Sequence, residues 1–206
     1  MHISDGVLSP AVIAAGWVVT AILLALTLRR GSKTVEDADE IPKISIMTAA
    51  FFVASLIHVS LGPTSVHLIL NGLLGVILGF MAFPAMFIGL LLQALLFQHG
   101  GITTLGVNTM VMGVPALIVH FIFRKGYSSG INPVITGAFC GGFAVAIAAF
   151  LLAVVLITTG EEFTETAYLA VVAHIPIIII ETIITGAVVG YLLRVRPELL
   201  PIEKEV

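Results

Sequence analysis

The sequence predicts an all-α membrane protein, a bundle of about seven transmembrane helices with its N-terminus outside and its C-terminus in the cytoplasm. Three observations predict it. First, 59% of the residues are hydrophobic and 10% charged, with a mean hydropathy of +1.16, which excludes a soluble domain. Second, the charges are clustered, and the apolar stretches between them are long enough to cross a hydrocarbon core of ~30 Å. Third, one span count puts every Lys and Arg on the same side. The formal net charge of −3 says little in such a protein, and no nucleic-acid partner is expected; the partner surface is the lipid bilayer.

Seven apolar segments run roughly over residues 8–28, 44–61, 66–81, 84–97, 107–123, 133–158 and 167–195. The fourth, at about 14 residues, is short against the usual ~20, and Gln98 to Gly106 could extend it by dipping back into protein. The last two are longer than a span needs and should tilt or project. Pro84 and Pro133 stand at segment starts, where a missing N–H costs nothing. The lone Cys140 lies in an apolar run and reads as packing, since neither a disulfide framework nor a thiolate site is available. Gly75-x-x-x-Gly79, Gly137-x-x-x-Gly141 and Gly186-x-x-x-Gly190 permit close helix approach, and Ala11-x-x-x-Ala15 and Ala50-x-x-x-Ala54 offer smoother faces.

Orientation follows from the basic residues. Arg29, Arg30, Lys33 and Lys43 flank the first connection, Arg124 and Lys125 follow the fifth segment, and Arg194, Arg196 and Lys204 follow the seventh. With seven spans all of them share one face, which the positive-inside rule assigns to the cytoplasm. The first segment has no basic region before it and is too long for a secretory signal, so Met1 is expected to persist as a free amine on the outer face.

That amine matters because the chain opens Met1-His2-Ile3-Ser4-Asp5-Gly6. The α-amine, the His2 amide nitrogen and the His2 imidazole can close adjoining chelate rings on one divalent ion, and a fourth nitrogen would complete a square plane. Tetragonal nitrogen geometry favours Ni(II) or Cu(II) over Zn(II), Mg(II) or Ca(II). The expected orientation also collects five of the six histidines toward the same end: His2, His58, His67, His99 and His174, with His120 near the inner face. His67 could be a ligand or a helix-start residue. His58 should pack or hydrogen-bond a neighbouring carbonyl, and His99, beside Gly100 and Gly101, could be a ligand, support one or simply face water. Asp5 is expected to cap the helix beginning near Leu8.

His174 and Glu181 are two helical turns apart and share one face of the last span. They read either as a buried hydrogen-bonded pair near Pro176 or as a proton relay. Gly126-Tyr127-Ser128-Ser129-Gly130 matches a hydrolase nucleophile expression without its strand-turn-helix context, and no His or Asp is expected near Ser128. There is no H-E-x-x-H and no phosphate-binding G-x-x-x-x-G-K-[ST].

The opening Met1-His2-Ile3-Ser4-Asp5-Gly6-Val7-Leu8-Ser9-Pro10 closely resembles the start of the NikM/CbiM proteins. The resemblance continues through Phe51 to His58, Thr64 to Leu68, Gln93 to Gly101, Thr103 to Thr109, and His174-Ile175-Pro176 with Glu181, up to about Arg194. It implies the nickel- or cobalt-binding S component of an energy-coupling factor transporter, not an enzyme. The transported Ni2+ or Co2+ would be held by Met1, His2 and His67, with His99, Thr103, Thr104 and Asn108 supporting the ligands. Residues 1–7 would form the extracytoplasmic metal-binding segment, 8–195 the bundle and 196–206 a cytoplasmic tail. The implied partners are a transmembrane coupling subunit, ATPase subunits and a small accessory membrane subunit. A proton-coupled secondary carrier using His174 and Glu181 is the alternative.

Overall fold

The computed structural model describes residues 1–36 and 40–201, with backbone alone for 32–36. The Lys33 side chain and the end of the expected tail, with Lys204, lie outside the described residues. A tucked N-terminal segment leads into α1 (Pro10–Glu36) and α2 (Glu40–Leu56), then a hairpin of β1 (His58–Leu61) and β2 (Thr64–His67). After it come α3 (Asn71–Leu78), a 3-10 turn, α4 (Ala82–Phe97), α5 (Leu105–Ser128) and α6 (Pro133–Thr159). A second 3-10 turn leads to α7 (Thr164–Ala173) and α8 (Ile175–Val195).

Among the described residues five stretches are long and apolar enough to cross a membrane: 10–31, 71–97, 105–128, 133–159 and 161–195. Stretch 71–97 is not a single rod. The His67 ring before it and the Gln93 side chain near its end both touch the His2 ring, at 2.9 and 2.7 Å. A straight helix from 67 to 93 would hold them about 39 Å apart. The reversal falls at Gly79, whose φ of 57° suits glycine and whose missing Cβ leaves room for the His120 ring. α3 and α4 therefore run as a helical hairpin, matching the third and fourth apolar segments.

The structure departs from the sequence expectation at two joints. The second apolar segment does not stay helical to Leu61: α2 stops at Leu56, and the chain turns back through Gly62, at φ 55°, and Pro63. A positive-φ glycine followed by proline suits a tight hairpin turn, which pairs His58 with His67 and Val59 with Val66. The last segment is likewise not one helix. It breaks at His174, where Pro176 has no N–H to continue the ladder.

α5 lies at the centre and touches α1, α3, α4 and α6, while α6 makes its broadest contact with α8. The glycine motifs are intramolecular seams, whereas Ala11, Ala15 and Ala50 are exposed. Gly137 meets Val189, Gly141 meets Thr185 and the Glu181 carbonyl, and Gly186 meets Ala138. Gly75 lies on the Ala116 carbonyl of α5. Asn71, fully buried, donates to the Met112 and Ala144 carbonyls and so ties α3 to α5 and α6. Large apolar side chains such as Ile22, Leu96, Phe139, Phe150, Ile183 and Tyr191 face outward, the reverse of a soluble domain.

The bundle has two chemically distinct ends. At one, Lys43, Arg124 and Glu198 line a shared cavity with Glu40 and His120, and Arg30 lies over the Phe80 ring. The other carries Met1.

Candidate metal centre

Residues 1–5 are laced into the Met1 end by side chains from four other segments. The Met1 amine donates to the Ser65 carbonyl of β2. Asn108, near the start of α5, accepts from Ile3 N at 2.9 Å and donates to Ile3 O at 3.0 Å, and Thr104 Oγ1 donates to the same carbonyl at 2.7 Å. The Asp5 carboxylate accepts from Thr103 Oγ1 at 2.5 Å, Thr103 N at 3.0 Å and Ile102 N at 3.2 Å. Asp5 thus caps the turn entering α5, not the helix near Leu8: the nearest orphan N–H groups are across the site. Gly101 makes this approach possible, since any Cβ there would overlap Asp5. Trp17 and Thr20 of α1 hold the same loop from behind, donating to the Thr103 and Gly106 carbonyls.

The hydrogen bonds fix which ring nitrogens are bare. Gln93 spends its amide N–H groups on the Phe52 carbonyl and Ser55 Oγ, so its oxygen faces His2 Nε2, which must donate. His2 Nδ1 is then a free lone pair. His67 Nδ1 donates to the Leu68 carbonyl at 2.7 Å, leaving Nε2 free. These two bare nitrogens face each other at 2.9 Å with no proton between them. Donors bound cis on one ion at ~2.0 Å lie about 2.8 Å apart, so the spacing suits a shared cation. Among the described residues the His2 N–H has no acceptor, whereas Ile3 N and Ser4 N both do.

Burial sets the electrostatics. Met1, His2 and His67 are 0, 3 and 2% exposed. Burial lowers the amine's pKa well below its ordinary value and does the same to both rings, helped by the neighbouring amine charge. His99 is lowered to about 4 by burial, His58 and the amine. Asp5 is lowered: the cost of burial is outweighed by the Thr103 hydroxyl and the N–H groups it accepts. The nitrogens are thus held neutral, the state a metal ligand needs.

His2, His67 and His99 offer ligand atoms within 4.8 Å of one another. Thr103, Thr104 and Asn108 stand one layer out, positioning the N-terminal backbone. His58 bonds the Leu56 carbonyl at 3.0 Å and lies against the His99 ring at a tilt of 33°. His174 and Glu181 do not join the site or pair with each other: His174 Nδ1 bonds the Ala170 carbonyl, and Glu181 Oε1 accepts from Ile69 N and Leu70 N. Ser128 ends α5 and bonds only the Lys125 carbonyl among the described residues.

Gln93 was missed as a site residue, although a buried amide in the run Leu91-Leu92-Gln93-Ala94-Leu95 is itself a signal. Replacing it frees the His2 tautomer. Gln93→Leu is expected to lower metal affinity roughly 10- to 100-fold by titration calorimetry, with the bundle intact.

The family model for the cobalt uptake substrate-specific transmembrane region matches residues 2–199. A Haemophilus influenzae protein named for metal transport is 38% identical, with 97% of each chain covered. A Methanocaldococcus jannaschii protein named CbiM, for cobalt transport, is 31% identical over 97% of this chain and 90% of its own. The fused nickel transport protein NikMN of Rhodobacter capsulatus is 29% identical over 97% of this chain and 64% of its own. A crystal structure of a transition metal transporter superposes with a TM-score of 0.86 at 30% identity, covering 95% of this chain and 93% of that one.

Proposed function

Given that the chain belongs to the cobalt uptake substrate-specific transmembrane family, a multi-pass membrane transport component and not an enzyme, we propose that it is the substrate-binding subunit of an ATP-driven energy-coupling factor importer for Ni2+ or Co2+. The ion is substrate. It is gripped by the Met1 amine, the His2 amide nitrogen and Nδ1, and His67 Nε2. The observation that carries this reading is the pair of bare imidazole nitrogens 2.9 Å apart in a buried cradle beside the terminal amine.

Three nitrogens in two adjoining chelate rings and a fourth from His67 suit low-spin d⁸ Ni(II), with Co(II) the close competitor; Cu(II) would bind at least as tightly, so selectivity rests on metal supply and pocket rigidity. His99, Thr103, Thr104 and Asn108 hold the ligands in place. The bundle crosses the membrane seven times, with the Met1 end outside and the basic end in the cytoplasm. Residues 1–7 are the capture segment, 8–195 the bundle and 196–206 the inner tail. A coupling subunit, ATPases and a small accessory membrane subunit supply the energy for release. The proton-coupled carrier loses ground because Glu181 is engaged with the Ile69 and Leu70 backbone.

Titration of chain with an unblocked Met1 tests this reading. Nickel should bind one ion per chain and give the visible spectrum of diamagnetic square-planar Ni(II), and His67→Ala should lose both. Octahedral nickel with affinity indifferent to His67→Ala defeats it.

A further inference from the structure

Four imidazoles stand in file at the Met1 end. His58 is exposed, His99 half-buried, and His2 and His67 buried. Ring centroids are 4.1 Å apart between His58 and His99, 4.0 Å between His99 and His2, and 4.8 Å between His2 and His67. The strand pairing sets His58 opposite His67, so both side chains leave the hairpin on one face. His58 Nδ1 is occupied by the Leu56 carbonyl, which leaves Nε2 as a lone pair. His99 Nε2 is shut away from water and has no partner among the described residues. A buried ring nitrogen with nothing to bond is costly and calls for a ligand. A nitrogen of the same ring lies within 4.8 Å of the inner donors.

We propose that His58 and His99 form a second, transient site for a divalent transition-metal cation at the surface, from which the ion passes inward to Met1, His2 and His67. The proposal rests on the reading that the inner cluster binds metal. A hydrated ion cannot enter donors so deeply buried without shedding water. His58 Nε2 displaces one water and His99 a second, both lost to bulk. His2 Nδ1 then displaces His58, and His67 Nε2 displaces a third water, so the ion is never without imidazole nitrogen. The amine then displaces His99 and the amide a fourth water, the amide proton passing to water, and the last two waters leave as the ion becomes four-coordinate. Each exchange replaces one donor with another, so no step carries the full cost of dehydration.

The test is rapid mixing of detergent-solubilised, untagged-N-terminus protein with Ni2+ as its chloride, comparing the parent with His58→Ala and His99→Phe. His58 is exposed, so its truncation leaves the fold alone, and phenylalanine keeps the ring packing of His99. The association rate should fall about tenfold in each variant. In His58→Ala equilibrium affinity should stay near the parent's, so dissociation slows by the same factor, which damage to the inner site would not produce. Parental loading rates in both variants overturn the relay and leave the inner site standing. Loss of affinity in His99→Phe at an unchanged association rate also overturns it, by making His99 an inner ligand. A parent that takes up no nickel overturns the inner-site reading and the relay with it.

Discussion

Adding a single residue ahead of Met1 lowers nickel affinity by at least roughly a thousandfold, about 4 kcal/mol, in calorimetric titration of the extended chain. The reason is geometric. Met1 is fully buried and its nitrogen already contacts the Ser65 carbonyl, so an added residue has no space to occupy. Extension also turns the amine into a secondary amide and carries the free amine outward, which would break the proposed chelate rings. An equal extension at the C-terminus leaves affinity unchanged, because the chain near Leu200 lies with Arg124 at the far end of the bundle. Undiminished binding by the N-terminally extended protein removes the terminal amine from the ligand set.

Gly75→Ala destabilises the bundle by about 3 kcal/mol or more. The new methyl would fall on the Ala116 carbonyl oxygen and against Val119, and backbone cannot swing aside as a side chain can. Its neighbours leave little slack: Gly72, one turn earlier, lies equally tight, with the Gly141 Cα 2.6 Å from where a Cβ would sit. Gly190→Ala is the control. There the nearest atom is Val134 Cγ2 at 3.4 Å, an ordinary contact, and the cost stays within about 0.5 kcal/mol. Thermal unfolding in detergent separates the two, and equal melting of parent and Gly75→Ala contradicts the packing assigned to α3 and α5.

Hydropathy made most helices legible, because lipid selects for long apolar runs whatever their partners. The Gly137 and Gly186 motifs likewise pointed to a real seam, since only small residues let α6 and α8 approach. The hairpin at Gly62 and Pro63 was not legible. Val59, Leu61 and Val66 prolong the apolar runs on either side, and hydropathy does not distinguish a short strand from a helix end. At the candidate site, His2, His67 and His99 could be grouped from the placement of histidines at one end. The partners of Asp5, Gln93 and Glu181 could not, because each joins residues from separate segments, at separations from 38 to 112 in the case of the Gln93 and Glu181 bonds. Such pairings depend on the assembled fold and leave no periodic trace.

Glu181 ties one more part of the molecule to His67. Its carboxylate is rooted in α8, yet it holds the peptide N–H groups of Ile69 and Leu70, two and three positions past the imidazole. Leu70 sits at φ 54°, an uncommon conformation for leucine that this grip stabilises. Sliding α8 along its own axis must therefore either snap two hydrogen bonds or drag the strand end with it. Any displacement of the far helix is thereby transmitted to the stretch of backbone that carries the His67 ring.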